Sequence, residues 1–284
     1  MTRWLVTGAS GMLGTDLVAL LRRDAEDVTA AGRDLLDICV PGAAAEAVRD
    51  LKPDVVVNCA AWTAVDDAEA QEDAALAVNG HAVEALAAAS DMYGARLIHI
   101  STDYVFPGTA STPYGEDDPV GPVNAYGRTK LAGERAALAH GATVVRTAWL
   151  YGAHGPNFAH TMRRLAAGDG PVKVVDDQHG QPTWSADLAA QIVALARAGA
   201  PPGVYHGTNA GQTTWNGFAR EIFTLSGADP ERVRSATTRD FPRPASRPGF
   251  SVLGHEGWRA AGLPPMRGWR EALHDAWPHL VGRA

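Results

Sequence analysis

Arg3-Trp-Leu-Val-Thr-Gly8-Ala-Ser-Gly11-Met-Leu-Gly14-Thr-Asp-Leu-Val-Ala-Leu-Leu-Arg22 changes texture twice along its length. Arg3 to Thr7 is a short apolar run of the kind that forms a buried parallel strand. Glycines then recur at Gly8, Gly11 and Gly14, and from Thr15 the apolar positions fall at helical spacing. Strand, glycine turn and helix in that order make the context that a dinucleotide site requires. The glycines permit a tight turn and a close approach of the backbone to a pyrophosphate, whose charge meets the helix N-terminus. As a bare string Gly-x-x-Gly-x-x-Gly is weak, and a glycine turn without a ligand is the competing reading. Placed directly behind a strand that starts at residue 3, it is strong.

Outward from that stretch, strands and helices alternate. Asp27 to Gly32 reads as a second strand, and Asp54 to Asn58 as a buried strand behind Lys52-Pro53. Ala68 to Tyr93 is alanine-rich and predicts helix with a break near Asn79-Gly80. Arg96 to Ile100 and Thr143 to Arg146 read as further strands with a helix around Tyr126 between them. The alternation predicts a doubly wound parallel sheet, Rossmann-like, over residues 1–150. After Tyr151 the strands shorten, Gly and Pro become frequent, and Pro242 to Pro248 is a loop. Residues 151–284 are therefore expected to form mainly a smaller α/β substrate-binding region, with some segments returning to the first domain. Ligands of such sheets bind beyond the carboxyl ends of the strands.

Composition narrows the class. The chain has 284 residues, 46% hydrophobic and 20% charged, as in ordinary globular enzymes, and is long enough to bury a large core. A net charge of −7 argues against a nucleic-acid surface and for solubility. The only cysteines, Cys39 and Cys59, have no ligand pattern around them and read as reduced core thiols of a cytoplasmic protein. No signal peptide and no membrane-spanning stretch is visible, and His99, His154 and His179 have no metal-site spacing.

Candidate site residues fall at the strand ends. Arg33 stands where the second strand stops, at the place of the adenosine ribose. An arginine there suits a 2′-phosphate, while the adjacent Asp34 suits a free 2′-hydroxyl, so NADP(H) is preferred and NAD(H) stays possible. Asp37 and Ile38 either flank the adenine or merely begin the next loop. Ala60-Ala61-Trp62-Thr63 follows the Val55–Asn58 strand with small residues against which a cofactor can lie. Ser101-Thr102-Asp103 follows the strand ending at Ile100. Its hydroxyls either orient a reacting carbonyl or cap a helix. Tyr126 and Lys130 are four apart, so on a helix they share one face. A phenol has a reference pKa of about 10, and a nearby ammonium favours its ionised form, so the pair suits acid/base work. Taken alone, a Tyr-x-x-x-Lys pair is more often structural; behind the glycine turn it gains weight.

Gly8 to Gly14, Ser101-Thr-Asp-Tyr-Val-Phe106 and Tyr126 to Lys130 together resemble the extended short-chain dehydrogenase/reductase superfamily. Within it the chain resembles the dTDP-4-dehydrorhamnose reductase family. The supporting text is Asn58-Cys-Ala-Ala-Trp-Thr-Ala-Val-Asp66, Tyr126-Gly-Arg-Thr-Lys-Leu-Ala-Gly-Glu134, Arg146-Thr-Ala-Trp149, Asp177-Gln-His-Gly-Gln-Pro-Thr183 and Arg247-Pro248. The resemblance implies NAD(P)H-dependent reduction of the C4 ketone of a dTDP-linked 4-keto-6-deoxyhexose by a monomer or homodimer. Tyr126 would protonate the alkoxide, Lys130 would bond the nicotinamide ribose and lower the phenol pKa, and Thr102 would stand for the superfamily's catalytic serine. Asp103 and Trp149 would line the sugar pocket with Thr102 and Tyr126. Gly11, Met12 and Leu13 would contact the pyrophosphate with Gly8 and Ser10, while Ala61, Trp62 and Thr63 lie along the cofactor with Ala60. Two departures bear on the sugar: Trp62 stands where tyrosine or histidine is expected, and Pro248 to Leu253 replaces a more polar run. They leave room for a 4-ketoreductase of another dTDP-deoxysugar, such as a dihydrostreptose synthase. A non-catalytic NADP-binding regulatory subunit, like that of methionine adenosyltransferase, is the remaining alternative. Retention of Thr102, Tyr126 and Lys130 speaks against it.

Overall fold

The computed structural model describes residues 1–282. Its first strand, β1 (Arg3–Thr7), pairs in parallel with β2 (Asp27–Ala31) on one side and β3 (Val55–Asn58) on the other. The sheet continues through β4 (Arg96–Thr102) and β5 (Thr143–Thr147) to a sixth parallel strand, Gly203–His206. The chain turns opposite ways on leaving β2 and entering β3, so the β1/β3 boundary is the switch point where such sheets open a crevice. Register keeps the carboxyl ends level. Thr7 lies beside Ala31 and Asn58, Asn58 beside His99, and Thr102 beside Thr147.

Alternation along β1 feeds both faces. Trp4 and Val6 meet Leu17 and Leu21 of the first helix (α1, Met12–Arg23), together with Leu188 and Ile192 from the helix Ser185–Arg197. Leu5 faces the other way, onto Val48, Val83 and Leu86. All of these side chains are buried, and each contributes roughly 1.5–3 kcal/mol by leaving water.

The alanine-rich segment is broken as its sequence suggests. It runs as Val65–Ala70 and Glu72–Leu76, widens into a π-turn at Ala77–His81, and continues as Ala82–Met92. The π-turn turns Asn79 inward, where its side chain accepts from Trp62 N (2.9 Å) and donates to Trp62 O (3.1 Å) and to Thr129 Oγ1 (3.1 Å). Such bulges mark functional sites more often than chance allows. Both cysteines are free, but Cys39 is exposed rather than a core thiol, because Ile38 takes the inward position of its turn.

A second cluster of buried side chains surrounds Tyr151, Phe218, Phe223, Trp269 and Leu273. It unites the helices Phe158–Ala166, Trp215–Leu225 and Trp269–Val281 with a parallel strand pair, Val172–Val175 and Val233–Ala236. The helix Ser185–Arg197 and the strand Gly203–His206, which lie between these segments in the chain, belong to the large sheet layer.

Candidate active site

The glycine turn leaves no room for side chains. Gly8 has φ +64°, and a Cβ there would lie 2.6 Å from Ala60 N; one on Gly14 would lie 2.4 Å from Gly8 O. The turn is thus pressed against the end of β3, with Ala9 N donating to Ala31 O and Gly11 N to Gly8 O, and Gly11 precedes the first residue of α1. Two cavities flank it. The smaller, about 280 Å³, is lined by Gly8, Ser10, Arg33, Asp37 and Ile38, with Gly11, Ala60 and Ala61 at its inner end. The larger, about 530 Å³, runs from Met12 and Leu13 past Thr63 to Tyr126 and Lys130. Ser10, Gly11 and Ala61 border both. Trp62 borders neither; it packs beside Tyr126 on the alanine helices. Ser101 Oγ and Thr147 Oγ1 line the larger cavity or its floor and have no partner among the described residues. A shaped glycine cradle and orphaned hydroxyls fit a bound dinucleotide.

Tyr126 and Lys130 are delivered by the helix Ala125–Ala139. Asn124 caps it, accepting from Gly127 N (2.8 Å) and donating to Ser246 O (2.8 Å). A Cβ on Gly127 would lie 2.2 Å from Tyr104 O, so only glycine lets the helix start against the turn after β4. Tyr104 and Tyr126 meet edge to face with ring centroids 5.8 Å apart. The sheltered position of the Tyr126 hydroxyl pushes its pKa up to about 12, with the Thr102 hydroxyl pulling the other way. Lys130 is buried; Nζ donates to Ile100 O (2.7 Å) and lies 3.4 Å from His99 Nε2. Loss of water pushes its pKa down to about 8. No direct bond joins Nζ to the phenol among the described residues, and burial raises the phenol pKa, so the lowering expected from the sequence is not found.

The capping reading of Thr102 is realised. Its Oγ1 accepts from Tyr104 N (3.2 Å) as a cap and donates to Asp103 Oδ1 (3.0 Å). Asp103 is itself buried, and burial pushes its carboxyl up to about 6 despite the Ser251 and Thr102 hydroxyls beside it. Ser251 belongs to the Pro248–Leu253 run, which pairs with Gly108 and His179. Trp149 holds φ +47° and stacks on Trp215 at 3.7 Å. Trp215 opens a third cavity of about 590 Å³, also lined by Tyr104, Phe158, Lys173, Arg243 and Arg247.

Several of these residues escape a sequence reading. Asn79 carries a signal, since the helix break falls on it. His99 was legible only as a strand residue, Ser101 as a hydroxyl following that strand and Thr147 only as part of the family resemblance, while Trp215, Lys173 and Arg243 come from segments whose pairing no local pattern reveals.

The doubly wound sheet, glycine cradle and Tyr126–Lys130 pair define an NAD(P)-dependent oxidoreductase of the extended short-chain dehydrogenase/reductase class. Residues 2–281 match the family described as RmlD substrate binding domain, and the chain belongs to that family. It is 56% identical to a dTDP-4-dehydrorhamnose reductase of Streptomyces griseus, covering 99% of this chain and 95% of the relative. It is 54% identical to a dTDP-4-keto-6-deoxy-D-glucose reductase of Streptomyces niveus, covering 98% and 97%. Among solved structures, the dTDP-4-dehydrorhamnose reductase of Bacillus anthracis in complex with NADP superposes with a TM-score of 0.93 at 36% identity, covering 97% and 98%.

Proposed function

We propose that the protein reduces the C4 ketone of a dTDP-linked 4-keto-6-deoxyhexose, with dTDP-4-dehydro-L-rhamnose as substrate and dTDP-L-rhamnose as product. The observation that carries this reading is the position of Tyr126: it lines the larger glycine-flanked cavity and meets edge to face Tyr104, which lines the aromatic, arginine-lined one. Gly8, Ser10, Gly11, Met12 and Leu13 would hold the cofactor's pyrophosphate. Arg33, Asp37 and Ile38 would hold the adenosine, and Ala60, Ala61 and Thr63 the stretch between. A reduced nicotinamide bound there supplies a hydride. NADPH is favoured over NADH by Arg33, whose guanidinium matches a 2′-phosphate.

The chain's own groups manage the proton. With its pKa near 12, Tyr126 is fully protonated at neutral pH and can donate to an alkoxide as it forms. Lys130, anchored on Ile100 O, holds the ribose side of that geometry, and Thr102 and Asp103 hold the ketone side. Trp149 would wall the sugar. Arg243, Arg247 and Lys173 supply positive charge for a nucleoside diphosphate, and Phe158 and Trp215 supply faces for a base. We assign the substrate side chiefly to residues 151–284, and the protein to the cytoplasm as a monomer or homodimer. No helix among the described residues is long and apolar enough to cross a membrane.

A second reading has a specific support: the Streptomyces niveus relative, nearly as similar, is named for a different 4-ketosugar. One experiment separates the two. The purified protein is given NADPH and a panel of dTDP-4-keto-6-deoxyhexoses, and product configuration at C4 is read by NMR. Oxidation of NADPH only with the rhamnose precursor supports the first reading; a preference for another sugar supports the second. Cofactor binding without turnover on any of them overturns both.

A further inference from the structure

Behind the Tyr126–Lys130 helix lies a buried row of polar side chains, Thr7 on β1, Asn58 on β3 and His99 on β4, side by side in the register of the sheet. All three have no exposed surface, and the row ends on Lys130. Its polarity can be worked out from the one member that has no choice. The backbone N–H of Ala60 can only donate, and it meets Asn58 Oδ1 at 3.1 Å, so that atom is the amide oxygen. The Thr7 hydroxyl donates to the same oxygen at 2.6 Å. The other end of the amide is then NH₂, which donates to His99 Nδ1 at 3.1 Å. Nδ1 must present a lone pair, and the neutral ring carries its proton on Nε2.

That proton points at Lys130 Nζ, 3.4 Å away. An ammonium has only protons to offer, so two N–H groups face each other. The contact is accordingly longer than the Asn58–His99 bond. A neutral amine resolves the mismatch: its lone pair accepts from His99 Nε2–H while one of its own protons goes to Ile100 O at 2.7 Å. Every group in the row is satisfied only when Lys130 carries two protons, and buried polar groups strongly favour full satisfaction.

The other groups facing Nζ do not reverse this. Glu134, one turn further along the helix, favours the ammonium, but both of its oxygens are taken by Arg146 at 2.9 Å. Cys59, at the end of β3, is held as the thiol, with burial pushing it up to about 12. Tyr126, one turn back, is a neutral phenol at working pH. His99 is kept neutral, its pKa lowered first by burial and then by Lys130 itself.

We propose that Asn58 and His99 form a tautomer lock on Lys130, in which His99 is a positioning residue that holds Nζ ready to release a proton. The inference rests on the place given to Lys130 in the proposed reaction. When the phenolic O–H of Tyr126 breaks and its proton goes to the product alkoxide, the Lys130 ammonium gives up one N–H proton to become the amine, and water in the cavity that both side chains line carries that proton to the phenolate. The lone pair left on Nζ is taken up by His99 Nε2–H, and water entering the cavity later returns a proton to Nζ.

The test needs neither cofactor nor substrate. Full-length protein carrying ¹⁵N-histidine and ¹³C-lysine is titrated by NMR over roughly pH 6 to 9. The expected result is His99 with a protonated Nε2 and a bare Nδ1 throughout, and one lysine titrating well below the rest that disappears in Lys130→Met. Asn58→Asp offers a carboxylate to Nδ1–H, moves the ring proton to Nδ1 and turns the Nε2 lone pair toward the ammonium. Lys130 then titrates higher by about one pH unit, a tenfold gain in proton affinity. In a His99→Phe background the same Asn58→Asp change loses most of that shift, which separates the lock from the bare charge of the aspartate. A protonated Nδ1 in the unaltered protein overturns the proposal even if no variant folds. So does a flipped tautomer that leaves Lys130 unmoved. Failure of the substrate panel, by contrast, would count against the proposed reaction and leave these titrations as they are.

Discussion

Replacing Gly133 by alanine should destabilise the fold and loosen the site together, although alanine is the better helix former. Gly133 lies in the helix Ala125–Ala139, and a Cβ there would sit 2.0 Å from the carbonyl oxygen of Asn79. An ordinary contact of this kind is at least 3.4 Å, so the π-turn or the helix must retreat by 3.4 − 2.0 = 1.4 Å. Overpacking of that sort costs about 1–3 kcal/mol. A retreat of that size takes the Asn79–Trp62 bonds, now 2.9 and 3.1 Å, beyond bonding range. Their loss adds about 1 kcal/mol each. Helix propensity returns about 1 kcal/mol, which leaves a net loss of roughly 2–4 kcal/mol. Urea unfolding at constant slope measures it, and indole fluorescence of Trp62 together with NADPH affinity reports the site. An unconstrained helical glycine would instead gain about 1 kcal/mol on the same change, so stabilisation of Gly133→Ala refutes the close-approach reasoning outright.

Tyr126→Phe should lower kcat by about 10²–10⁴-fold while cofactor affinity, measured by fluorescence quenching, stays within a few-fold; near-full turnover removes Tyr126 from the proton-donor role. Arg243→Ala should raise KM for the nucleotide sugar by about tenfold with kcat little changed, because its guanidinium lines the aromatic cavity and not the reacting end. Arg146→Met should cost about 3–5 kcal/mol in denaturant, since it strands the buried Glu134 carboxylate; the double change with Glu134→Gln should recover most of the loss. Asp103 has a folded pKa above its usual one, so the native state holds its proton longer than the unfolded chain. Its contribution to stability is therefore complete below about pH 4 and falls as pH rises to about 6, by about 2–3 kcal/mol in all. Asp103→Asn should flatten the unfolding free energy over that window relative to the unaltered protein, and an unchanged slope would contradict the burial argument.

What the sequence discloses and what it conceals divide along range. Arg3 to Thr7 followed by Gly8, Gly11 and Gly14 is a local pattern, and it suffices for the doubly wound sheet because strand, turn and helix are each decided within a few residues. The i, i+4 spacing of Tyr126 and Lys130 is equally local. The break at Asn79-Gly80 was legible as weakness in an alanine helix, but its purpose was not. The clamp on Trp62 depends on Gly133 of another helix, more than fifty residues away. The same holds for the tautomer of His99, which follows from Ala60 N through Asn58 and from the register of two strand pairings. The third cavity is the least legible part. Phe158, Lys173, Trp215 and Arg243 meet there only because the parallel pair Val172–Val175 and Val233–Ala236 closes across sixty residues of chain.

The distribution of charge across the three cavities follows from what each must tolerate. At one end stands Arg33, exposed to water; at the other stand Arg243 and Lys173, at the rim of the aromatic cavity. Between them three groups are shifted by burial toward their neutral forms: the Tyr126 phenol up to about 12, the Asp103 carboxyl up to about 6, and Lys130 down to about 8. Phosphates cost much to desolvate, so a dinucleotide and a nucleoside diphosphate are best received at the two wet, cationic ends. The transfer between them creates an alkoxide, which is far more costly in a dry middle than in water unless a proton arrives as it forms. A phenol that stays protonated throughout the physiological range, backed by an ammonium already near the point of release, meets that requirement.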